Sequence, residues 1–170
     1  MLQHALPFTL DVVTLGVRDF ARSVRFYGTL GLLRKMRATG DEIAFFDAGG
    51  VVLALFRWNM LAEDAALPVA PHSDGFRGAT FARMCRSDQE VDAVMARALG
   101  IGARLLKPAQ KTSFGGYSGY FADPDGHAWE VVRAPGFSFA DDGRVVLPEL
   151  SIFRKSETRF SVRKCDHAKS

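Results

Sequence analysis

Cysteine, histidine and long apolar runs are all scarce in this chain of 170 residues. Its two cysteines, Cys85 and Cys165, form no CxxC pair and no disulfide framework, so a reducing compartment is expected. Cys85 precedes a predicted helix with no base nominated for it, and reads as a partly buried, inert thiol. The longest clean apolar run, Val51 to Phe56, is far too short to span a bilayer. Met1 to Leu10 has neither the basic start nor the apolar core of a signal peptide, which makes a cytoplasmic protein the expectation. Basic charge is also thin outside the C-terminus. Residues 151–170 hold six basic side chains against Glu157 and Asp166, while the rest of the chain carries 16 basic and 17 acidic residues. A neutral body carries no nucleic-acid footprint, and the tail reads as a solvated terminus.

What the chain does have is hydrophobic periodicity. Phe8 to Val17 reads as a strand ending at Asp19, a good helix cap. Phe20, Val24, Tyr27 and Leu30 recur at helical spacing and stop at Gly31. Leu32 to Arg37 looks extended, and Glu42–Asp47 and Val51–Trp58 form a hairpin across Ala48-Gly49-Gly50. Asn59 to Arg77 is a linker, with one short helix at Met60 to Leu67. Gly78 to Met84 is again strand-like. Ser87 and Glu90 have capping-box spacing before a stripe of Val91, Val94, Met95 and Ala98. Ala103–Lys107 is a strand, Pro108–Gly116 a loop, and a second hairpin turns at Asp123-Pro124-Asp125-Gly126.

The order strand, helix, three strands thus occurs twice. Ala44 to Asp47, a three-residue turn and Val51 to Leu55 overlay Tyr120 to Asp123, Pro-Asp-Gly and His127 to Val131. The first strands overlay as Val12–Gly16 on Gly78–Ala82, with two extra residues before the second cap. A duplication of this length predicts an α+β fold of two βαβββ modules forming a curved mixed sheet around a cleft. Residues 1–150 make one domain: module one about 8–58, linker 59–77, module two about 78–135 and an extension 136–150. Residues 151–170 are the basic tail.

The seventh residue after each turn aspartate is Ala54 in the first half and Glu130 in the second. Glu130 is a lone carboxylate in an apolar strand, and such a charge needs a partner, a ligand or a proton. His127 is three residues away, so strand alternation puts it on the opposite face, where it closes the turn.

The Thr14-Leu15-Gly16-Val17-Arg18-Asp19 opening, Ser23 and Phe26-Tyr27 in the helix, and Asp123-Pro124-Asp125-Gly126-His127 leading to Glu130 resemble the vicinal oxygen chelate superfamily. That group includes glyoxalase I, fosfomycin-resistance transferases, extradiol dioxygenases and bleomycin-resistance proteins. The resemblance covers about Thr9 to Pro135 and implies a homodimer, as in many relatives. It also implies metal ligands on the first and last strands of each module, which fall here at Val12, Ala54, Gly78 and Glu130. Only Glu130 offers a donor, so no metal and no cofactor is expected.

Alternation from these positions sends Thr14, Phe56, Trp58, Phe76 and Thr80 into the cleft with Glu130, and Tyr117 belongs to a glycine-rich loop at its mouth. A small floor with aromatic walls suits an organic ligand. The leading expectation is a metal-free binder, similar to the bleomycin-resistance branch, that sequesters an aromatic or cationic compound. The alternative is a lyase, isomerase or dioxygenase-type enzyme resembling glyoxalase I, with Glu130 as metal ligand or general base. Glu130 as a structural carboxylate bonded to Thr14, Thr80 or a tyrosine stays open beside both.

Overall fold

The computed structural model describes residues 9–36, 40–69 and 75–147. The basic tail with Cys165 and His167 lies outside the described residues, as do His4 and His72.

The first module runs β1 (Val12–Val17), α1 (Phe20–Leu30), β2 (Leu33–Lys35), β3 (Ile43–Asp47) and β4 (Val52–Arg57). After α2 (Trp58–Asp64), the second runs β5 (Phe81–Met84), α3 (Asp88–Gly100), β6 (Arg104–Lys111), β7 (Tyr117–Ala122) and β8 (Ala128–Arg133). The two sheets share one topology, β1-β4-β3-β2 and β5-β8-β7-β6, with the first pair parallel and the others antiparallel. The α+β fold of paired βαβββ modules is therefore present, as two separate four-stranded sheets. A small hairpin, β9 (Ser138–Phe139) with β10 (Val145–Val146), follows. Its Arg144 stem lies against Gly50, and Phe139 lies 4.3 Å beneath the Arg86 guanidinium, so the extension touches both modules.

Local chemistry explains the helix ends. Asp19 accepts from the Arg22 amide at 3.0 Å, and Gly31 closes α1 at φ 119°, where a Cβ would be strained. In α3, Ser87 accepts from the Glu90 amide at 3.1 Å, and Glu90 in turn accepts from the Arg86 amide at 2.7 Å. No described helix is long and apolar enough to cross a membrane.

Several boundaries differ from expectation. β1 begins at Val12, and β5 only at Phe81. The segment from Pro108 continues β6 rather than forming a loop. β6 is an edge strand with register breaks on both sides of Lys107, and such a strand tolerates a residue without an amide proton. Trp58 opens α2 instead of ending β4, because β4 has no partner past Arg57 on either side.

The internal repeat is real but shifts in register. Thr14 pairs with Ala54 and Ala82 with Glu130, so Thr14 corresponds to Ala82, and Val12 to Thr80 rather than Gly78. The two caps, Asp19 and Ser87, then coincide with no insertion. In the hairpins, Phe45 opposes Ala54 while Tyr120 opposes Glu130. The Asp-Pro-Asp-Gly turn is one residue longer than its counterpart, which makes Phe46 and Phe121 the equivalent core residues.

One core joins the modules. Leu15, Val17, Phe46, Leu53 and Leu55 from the first sheet meet Phe121 and Val131 from the second, with Phe20, Phe26, Tyr27, Val91, Met95 and Ala98 from the helices. The Tyr27 ring lies 6.2 Å from Phe46 and 5.9 Å from Trp129, and Phe26 lies 6.4 Å from Phe121. Helix α1 is thus wedged between the helix-facing sides of both sheets. On the other face of the first sheet, Trp58 and Leu61 of α2 lie over Gly16 while Thr14 stays exposed; on that of the second, Ala82 is exposed.

Candidate functional site

On the outer face of the second sheet, strand pairing lines up Ala82, Glu130, Tyr120 and Lys107 in one row across β5, β8, β7 and β6. Adjacent strands stand about 4.8 Å apart, so neighbours in this row touch. Burial raises the Tyr120 pKa above its usual value, and Glu130, as hydrogen-bond acceptor and as negative charge, raises it further. The Lys107 ammonium sits 5.9 Å from the Tyr120 ring centre. One carboxylate, one phenol and one amine therefore stand in sequence beside the small Ala82. The first sheet carries the equivalent row, Thr14, Ala54, Phe45 and Lys35. There the polar pair at the centre is replaced by Ala54 and Phe45.

The expected site residues are only partly brought together. Glu130 belongs to the second sheet's outer face, and Thr80 stands exposed one residue before β5. Thr14 and Phe56 belong to the first sheet's outer face, across the helix layer. Trp58 lies over Gly16, where a Cβ would come within 3.2 Å of its ring. Its faces are taken by arginine, with Arg18 at 4.0 Å and Arg77 at 5.1 Å, so it serves these cations as a packing partner. Phe76 is 78% exposed. Tyr117 is on the helix-facing side of β7 and donates to Asp92 at 3.0 Å, while the glycine-rich segment before it is a tight turn closed by Thr112 and Gly116. Its place at a cleft mouth is thereby corrected. That hydrogen bond to Asp92 raises the Tyr117 pKa above its usual value.

Tyr120 and Lys107 were missed. Alternation from Glu130 through the hairpin would have found Tyr120 had the longer turn been recognised, and Lys107 then follows from pairing.

The turn motif itself is a clasp. Asp123 accepts from Tyr27 Oη at 2.6 Å and from the amides of Asp125 and His127, and Asp125 accepts from Ser23 Oγ at 2.5 Å and the Arg18 amide at 2.8 Å. The His127 ring bonds the Gly16 carbonyl oxygen at 2.9 Å, which puts it at the turn and away from Glu130. Burial raises the Asp123 pKa, against the lowering effect of His127 and Tyr27. Burial likewise pushes the Cys85 thiol up to about 11, consistent with an inert side chain.

The sequence profile described as "Glyoxalase/Bleomycin resistance protein/Dioxygenase superfamily" matches residues 9–131. The chain belongs to that superfamily. A crystal structure of a glyoxalase-related enzyme from Fulvimarina pelagi is 35% identical, with a TM-score of 0.73 over 82% of this chain and 97% of that one. A glyoxalase/bleomycin resistance protein/dioxygenase from Nocardioides is 27% identical, with a TM-score of 0.63 over 78% and 87%. Lactoylglutathione lyase from Agrobacterium tumefaciens, at 24% identity, shares the fold with a TM-score of 0.57 over 75% and 94%.

A metal of the kind this superfamily implies does not fit the donors among the described residues. The four strand positions hold Val12, Ala54, Thr80 and Glu130. Among the described residues no three His, Cys, Asp or Glu side chains come together. One carboxylate falls short of the three protein ligands of an open catalytic site.

Proposed function

We propose that this superfamily member is a metal-free small-molecule binder that captures an aromatic or cationic organic compound on the outer sheet faces. The observation that carries the reading is the Ala82, Glu130, Tyr120, Lys107 row. A ligand amine pairs with Glu130, its ring lies against Tyr120, and an acceptor group meets Lys107. Small Ala82 leaves room for the approach. The face carrying Thr14, Phe45 and Phe56 lies across the helix layer from this row, so enclosing a ligand between the two kinds of face takes a second copy. The working unit in this reading is a homodimer.

A fluorescence screen of planar amine-bearing compounds tests the site. A hit is expected to lose at least about tenfold in affinity in Glu130→Gln, the scale of a charge-assisted bond, and less in Tyr120→Phe. Unchanged affinity in both variants removes this row from the site. Thermal shift with Ni, Zn, Mn and Fe tests the metal: a stoichiometric, tight ion lost in Glu130→Gln overturns the metal-free reading.

The Tyr120 and Glu130 pair also supports a second reading, a lyase or isomerase with Glu130 as general base, and the 35% identical Fulvimarina pelagi protein is described as an enzyme. It requires turnover that Glu130→Gln abolishes while ligand binding persists.

A further inference from the structure

We propose a second binding site, for a small multiply charged anion of the phosphate monoester or pyrophosphate class, in a cavity on the helix side of the first sheet. The cavity measures about 500 Å³ and is walled by Arg18, Arg25, Arg34 and Arg57 around Phe20 and Val24. That volume lies in the range of small-molecule sites.

The four arginines come from four different places in the fold. Arg34 on β2 pairs with Phe46, and Arg57 continues the Leu53, Leu55 alternation of β4, so both belong to the face that α1 covers. Helix α1 starts only at Phe20 and leaves that end of the sheet open. Arg25 enters from the second turn of α1, and Arg18 edges the cavity from the end of β1 while its guanidinium stacks on Trp58. The Arg57 guanidinium stands 5.6 Å from the Phe20 ring, which provides an apolar floor.

Among the described residues, the basic groups of this wall outnumber its two carboxylates, Asp19 and Asp41. Arg83, Arg133 and Arg144 pair with Glu90, Asp88 and Asp142, whereas none of the four cavity arginines has a carboxylate within 4.0 Å among the described residues. Asp19 accepts from the Arg22 amide, and neither it nor Asp41 forms an ion pair with these arginines among the described residues. Arg34 donates from Nη2 to the Gly40 carbonyl at 3.1 Å, while its buried Nε makes no hydrogen bond. A buried N–H without an acceptor is costly and is rare in native proteins. The guanidinium groups of Arg25, Arg34 and Arg57 suit the oxygens of a phosphate, and Phe20 and Val24 suit an apolar group attached to it.

Calorimetric titration of the full chain with inorganic pyrophosphate and with phenyl phosphate tests the site. Saturable binding is expected, tighter than for sulfate, with Arg25→Gln and Arg57→Gln each weakening it by at least about tenfold. Both side chains are exposed, so the thermal midpoint without ligand should hold. Lys111→Gln, a basic residue elsewhere on the surface, and Glu130→Gln should bind as the parent does. The proposal is overturned if no saturation occurs below about 10 mM, a range too weak for a built site. It is equally overturned if Lys111→Gln costs as much as Arg57→Gln, which marks general charge attraction.

Discussion

Tyr27 is fully buried between the two sheets, and its hydroxyl both donates to Asp123 and accepts from Trp129 Nε1 at 3.1 Å. Replacing it with Phe keeps the ring and strands both partners, so Tyr27→Phe should destabilise the fold by about 2 kcal/mol at neutral pH. Burial, with the nearby Asp123, holds the Tyr27 pKa well above 10. The unfolded chain therefore releases this proton near pH 10 while the folded one retains it. The resulting stability is complete below that pH and drains away as pH rises toward the folded value. Urea midpoints between neutral and alkaline pH should fall more steeply in the parent than in Tyr27→Phe; parallel curves refute this account. At the outer face, Glu130→Gln removes a charge that raises the Tyr120 pKa and should bring it down toward the ordinary value. Tyrosine-labelled NMR titration, assigned with Tyr120→Phe, reads this directly.

At the scale of elements, the Asp-Pro-Asp-Gly turn is a fastening that connects β7 and β8 to the start of α1. Asp125→Ala leaves Ser23 Oγ and the Arg18 amide without their shared acceptor. A loss of about 2–4 kcal/mol is expected, since buried partners are left unpaired, and the N-terminal half of α1 should exchange its amide protons faster than α3 does. Uniform acceleration across both helices would contradict a local clasp. Much of this architecture was legible beforehand, because caps at Asp19 and Ser87, the stop at Gly31 and the alternation in β4 and β8 are local signals. The cleft was not. The length of one turn shifted Tyr120 into the row and Phe121 into the core, and Trp58 was captured by Arg18 and Arg77, contacts that join residues far apart in sequence. Pro108 argued for a loop, yet its edge position left it no ladder bond to break.

For the molecule as a whole, the deciding fact is that α1 packs on the helix-facing sides of both sheets, so the faces bearing Thr14 and Glu130 are not the ones the modules turn toward each other. A single chain buries its helix-facing surfaces well and leaves Val12, 45% exposed, and Thr14 open on the first sheet and Ala82 open on the second. If a second copy closes over these faces, an arginine at either small position will obstruct it without entering the core of the single chain. Thr14→Arg and Ala82→Arg should therefore convert a dimer to a monomer in light scattering, keep near-native circular dichroism, and lose binding of the organic ligand. Phosphate-class anions should still bind both variants, because the arginine cavity lies on the helix side of the first sheet and is complete within one chain. A parent protein that is monomeric at every accessible concentration would refute the paired site. Variants that stay dimeric would show that the copies meet through some other surface, and the outer faces would then have to work as two separate, open platforms.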